Sequence, residues 1–108
     1  MKLLPEISRI LHAANVKPDE QEECISLFQL AMQDEDEGIR DISRLIAQAL
    51  KEKANGWLDR QDLMLLLETQ RDIAHLRANN TQIALNRRIQ TRVIRIIDII
   101  LMSLAGVV

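Results

Sequence analysis

The stretch "HLRANNTQIALNRR", His75 to Arg88, is polar at its centre and lies between two apolar segments. If the chain passes through it as helix, the molecule ends in one long rod. If it breaks there, the rod becomes two shorter helices. Neither Gly nor Pro, the strongest helix breakers, occurs from Arg60 to Ala105. A continuous helix is therefore expected, with a break near 79–81 as the alternative. At ~1.5 Å per residue such a helix would be roughly 65–70 Å long. A chain of 108 residues cannot cover that length, so one end should protrude.

From Ile73 onward a heptad-like seam can be drawn through Leu76, Asn80, Ile83, Arg87, Gln90, Ile94, Ile97, Leu101 and Leu104. Upstream, "LMLLL", Leu63 to Leu67, is apolar on nearly every side and is expected deep in the core. Asp59, with Asp62 three residues on, suits the cap that opens this helix.

Three shorter helices precede it. Leu4, Ile7, Leu11 and Ala14 share one face of the first, which Asn15 can end. Pro18 opens the second, whose first turns hold Asp19, Glu20, Glu22 and Glu23, where the helix dipole favours negative charge. The third carries Ile39, Ile42, Ile46, Ala49 and Leu50 on its stripe and stops at Asn55-Gly56. The expected fold class is all-α: a small N-terminal helical bundle (1–58, three short helices) and a long C-terminal helix (59–108), coiled-coil-like or part of a multi-helix interface.

The chain ends in "VIRIIDIILMSLAGVV", Val93 to Val108, charged only at Arg95 and Asp98. A helix over these residues covers about 24 Å, short of the ~30 Å of membrane hydrocarbon. Flanking Trp, Phe and Lys suited to an interfacial helix are absent. Burial in the chain's own core is one expectation. The preferred one is a protein interface centred on Ile94, Ile97, Ile100, Leu101 and Leu104, because exposing so much apolar surface is costly. On this basis the chain is expected to be a protein–protein interaction protein, such as an adaptor, an assembly chaperone or a complex subunit. Its partner would be a second copy or another protein. A peripheral membrane role is the weakest alternative.

Charge is distributed unevenly. Eight acids and no base lie between Pro18 and Gly38, and five arginines and no acid between Arg77 and Ile97. On one continuous helix Arg77, Arg88, Arg92 and Arg95 would fall within about 60°, forming a basic stripe about 27 Å long. Arginine forks match phosphate or carboxylate. The stripe suggests contact with an anion or an acidic partner, and makes a dimeric nucleic-acid regulator the second functional reading. The net charge of −2 and a single Trp and Phe, with no Tyr for base stacking, count against it. A solvated face, or pairing with the acidic region of the same chain, is the plainer expectation.

Chemistry-bearing motifs are missing. "DEDEG", Asp34 to Gly38, fails the calcium-loop pattern because Ile39 and Leu45 stand where Gly and Glu are required. The segment around Asn55-Gly56 fails as a helix-turn-helix, since the would-be reading helix offers mostly Leu. His12 and His75 lie in no ligand pattern, Cys24 reads as a small core hydrophobe, and Trp57 as a plug at a corner. No enzyme activity, cofactor or metal is expected. A lone Cys and a first segment interrupted by Pro5, Glu6 and Arg9 point to a cytoplasmic location.

Overall fold

The computed structural model describes residues 3–106 and is all-α, with no strand among the described residues. Leu4, counted above on the first stripe, and Val107 and Val108 of the apolar terminus lie outside the described side chains. Helix α1 spans Leu3–Ala13, α2 Pro18–Met32, α3 Glu37–Ala54 and α4 Arg60–Asn79. The chain then turns. Helix α5, Ile83–Arg88, runs through a π-helical stretch, Ile89–Ile94, into α6, Arg95–Leu104.

The principal extents are 37 × 30 × 25 Å, so no rod of the expected length exists. The break in segment 59–108 is made by asparagine rather than by Gly or Pro. The Asn80 side chain donates to the Leu76 carbonyl at 2.8 Å, and its backbone N–H donates to the Arg77 carbonyl at 3.1 Å. The Asn86 side chain, already on the returning helix, donates to the Ala78 carbonyl at 2.8 Å. Three carbonyls left without partners at the end of α4 are thus satisfied locally, and the helix loses little by stopping.

Returning the chain at this point folds its last segment onto α4, which packs along the π-helical stretch and α6. Ile89, Val93, Ile96, Ile97, Ile99 and Ile100 are all buried. Each such side chain stabilises the fold by roughly 1.5–3 kcal/mol relative to exposure, which favours the hairpin over a protruding rod. Helix α6 is covered on two sides, by α4 and α2, and keeps one face open at Arg95, Asp98 and Met102, the last 51% exposed. The π-helical stretch, with its i→i+5 bonding, fits an extra residue into the turn and changes the face that α6 presents relative to α5.

The remaining elements form where local chemistry favours them. Asn15 takes the left-handed conformation (φ +62°) that ends α1, and Gly56 does the same after α3 (φ +81°). Pro18 opens α2 without wasting a backbone donor. Asp59 and Asp62 form the reciprocal capping box of α4. Leu63 and Leu67 are buried, but Leu65 of the same apolar run is 67% exposed, so "LMLLL" is not uniformly core. Trp57 is 75% exposed and plugs no corner.

Candidate functional site

The residues expected to form a docking surface have a different place. Ile97 and Ile100 are fully enclosed, Ile94 and Leu104 are nearly so, and Leu101 is half-buried against the same core. This corrects the expectation of an interface at Ile94, Ile97, Ile100, Leu101 and Leu104. The hairpin at 80–82 lets the chain shelter the isoleucines of its apolar end. Arg60 also donates to the Leu104 carbonyl, tying the end of α6 to the start of α4.

The arginine stripe is redistributed in the same way. Once α4 ends, Arg77 no longer shares a helix with Arg88, Arg92 and Arg95, and no continuous track forms. Each arginine instead meets an acid of this chain. Arg77 grips Asp36 with two parallel contacts of 2.6 Å. Arg88 and Arg92 converge on Asp34, Arg88 Nε at 3.1 Å and Arg92 Nη1 at 2.8 Å. Arg95 grips Glu23 at 2.7 and 2.9 Å. A fifth pair, Arg71 with Asp98 at 2.7 Å, bridges α4 and α6.

Asp34 is the centre of this set. Its side chain is only 1% exposed, and it also accepts the Asp36 backbone N–H at 2.8 Å. Its carbonyl accepts from Arg40 at 2.7 Å. Burial pushes the Asp34 carboxyl up, but the Asp36 amide and the Arg88 and Arg92 guanidiniums outweigh it and hold the group below the usual carboxylate range. The Arg77 hydrogen bonds hold Asp36 low against a smaller effect of burial. The α2–α3 turn is therefore pinned to both arms of the hairpin. Gly38 makes room for this, since a Cβ there would stand 2.5 Å from Arg77 Nη1.

The interior offers little for chemistry. Burial pushes the Cys24 thiol up to about 12, so it stays protonated and unreactive. Among the described residues no group of His, Cys, Asp and Glu could hold a metal ion. A surface cleft of about 340 Å³ floored by Ile7, Ile10, Met32 and Ala47 has Arg44, Gln48 and Lys51 on its wall, and no acid among its described lining residues. Among the described residues no helix is long and apolar enough to cross a membrane.

No family model, curated protein or solved structure matches this chain.

The outer face of α4 departs from an ordinary solvated surface. Leu65 and Leu76 are each 67% exposed. Eleven residues apart, they point within about 20° of each other and stand about 16 Å apart along the axis. Ile73 lies beside them, half exposed. Just past the turn, at the start of α5, Ile83 is 81% exposed. The apolar rhythm in the sequence did flag Ile73, Leu76 and Ile83 as seam positions. Leu65 was hidden within a run that looked wholly buried, and only the structure shows that it faces outward.

Proposed function

We propose that this protein is a small helical interaction protein that docks a partner through the outer face of α4, with the neighbouring α4–α5 turn. The observation that carries the proposal is the exposed row Leu65, Ile73 and Leu76, with Ile83 at one end. Each side chain would contribute on the order of 1–2 kcal/mol if a partner covered it, and rows of this kind mark binding surfaces more often than isolated exposed leucines do. The docking surface thereby moves from the C-terminal helix to α4, because the former is already covered. The alternative of a nucleic-acid regulator draws little support from Arg77, Arg88, Arg92 and Arg95, whose guanidiniums are each engaged by a carboxylate of the same chain, Arg88 and Arg92 sharing Asp34.

Photo-crosslinking in the cells of origin tests the proposal. A photoreactive residue at position 76 should give a discrete crosslinked species that one at position 48, on exposed α3 surface, does not. Leu65→Asp should abolish that species while leaving the helical circular-dichroism spectrum unchanged. Identical crosslinks from both positions, or none, would overturn the docking role.

A further inference from the structure

The same face of α4 carries charge of one sign. Its outward half holds Asp62, Glu68 and Asp72, all exposed, around Leu65, Ile73 and Leu76. The basic side chains of this helix are turned elsewhere. Arg60 reaches the Leu104 carbonyl, Arg71 pairs with Asp98 and Arg77 pairs with Asp36. None of the three outward carboxylates is ion-paired among the described residues. The leucines are therefore flanked by acids that form no ion pair among the described residues, although Asp72 also feels the Arg71 guanidinium that pairs with Asp98.

We infer that the occupant of this face is an amphipathic helix of another protein, with apolar residues at a 4-3-4 spacing and Lys or Arg on both flanks. The inference rests on the docking role proposed above and adds the partner's chemistry. Leu65, Thr69, Asp72 and Leu76 follow one another at spacings of 4, 3 and 4, the rhythm by which two helices lie side by side. A partner helix of about three turns spans Leu65 to Leu76. Its basic flanks meet Asp62 and Glu68 at the rim, where complementary charge raises the association rate and excludes wrong partners.

A second copy of this chain is the poorer occupant. Antiparallel self-pairing about a twofold axis midway between Leu65 and Leu76 places Leu65 of one copy opposite Leu76 of the other. It also brings the two Asp72 carboxylates within one helical turn of each other, with neither ion-paired among the described residues. Helix α2 is likewise acidic, at Asp19, Glu20 and Glu22, but its exposed face offers only Leu30 as a large apolar side chain. It can attract a basic partner without holding one.

The test uses the full chain and two synthetic 22-residue peptides with identical leucines at 4-3-4 spacing, one flanked by Lys and one by Glu, read by fluorescence anisotropy. The Lys peptide should bind at least tenfold more tightly than the Glu peptide. That preference should weaken as NaCl rises from 50 to 500 mM (on the order of a threefold fall in Debye length). The triple variant Asp62→Asn/Glu68→Gln/Asp72→Asn should reduce the preference to within about twofold. Glu22→Gln, on α2, should leave it unchanged, and Leu65→Ser/Leu76→Ser should remove binding of both peptides.

Equal, leucine-dependent binding of the two peptides would overturn the basic partner while leaving the docking role intact. Binding of the Lys peptide that survives Leu65→Ser/Leu76→Ser would place it on another acidic surface and overturn the inference. A sedimenting dimer that Leu76→Asp dissociates and the Lys peptide does not would show that a second copy is the occupant. Failure of both peptides to bind, together with no crosslink at position 76, would remove the docking role itself.

Discussion

Arg77 and Asp36, 41 residues apart in sequence, face each other through two parallel N–H···O contacts of 2.6 Å, directly over the backbone of Gly38. The carboxylate that grips Arg77 also caps α3, accepting the Ile39 backbone N–H at 2.9 Å. One aspartate therefore starts a helix and anchors the hairpin. Gly38 in the first turn of α3 is the accommodation that allows both.

Gly→Ala in a helix normally stabilises by up to about 1 kcal/mol. At Gly38 the added methyl would push the Arg77 guanidinium off Asp36, so Gly38→Ala should be neutral or destabilising in the wild-type chain. In an Arg77→Ala background the same change should stabilise by about 1 kcal/mol. Urea unfolding of the four proteins of this cycle checks the reversal of sign.

Asp34 and Glu23 carry ion pairs of very different burial. Asp34→Ala leaves Arg88 and Arg92 without their shared acceptor in a half-buried place, and should cost about 2–3 kcal/mol. Glu23→Gln breaks a pair whose two side chains are 43–44% exposed, and should cost less than about 1 kcal/mol. Equal losses in chemical unfolding would contradict the central place given to Asp34.

Ile97 is fully enclosed by the chain's own helices. Ile97→Ala should destabilise by about 2–5 kcal/mol. Ile97→Asp, which buries an unpaired charge, should unfold the protein. Sedimentation combined with circular dichroism should therefore show loss of helix, and not a well-folded chain of lower oligomeric state.

Acid sensitivity follows from the depressed carboxyls. Asp34, Asp36 and Glu23 ionise more readily in the folded protein than in the unfolded chain. Their stabilising contribution is complete above the unfolded-state value of about 4 and is lost as pH falls through the lower folded-state values. Melting temperature should stay level from pH 7 to 5 and drop below about pH 4. Asp36→Asn should flatten part of that drop.

The helices around α1 to α4 were legible because their signals are local. Pro18, Asn55-Gly56 and the Asp59–Asp62 pair act within one turn of the residues they influence. Cys24 as a small core hydrophobe was equally plain, since its neighbours on the 3.6-residue rhythm are apolar. The turn at 80–82 was harder to read. Asn80 and Asn86 are unremarkable helix residues until one of them, eight positions downstream of its acceptor, caps Ala78 from the opposite arm.

The sequence by itself determined an all-helical molecule, its capping residues, a surplus of acid before Gly38 and of arginine after Arg77, and an Ile-rich terminus that must be covered. Only the tertiary structure decided what covers it and which acid each arginine meets. Hydrophobic pressure is non-directional: it says that Ile97 must leave water, and not whose side chains will surround it. Once α6 folded back against α4 and α2, its isoleucines became core, and the unpartnered row passed to Leu65 and Leu76.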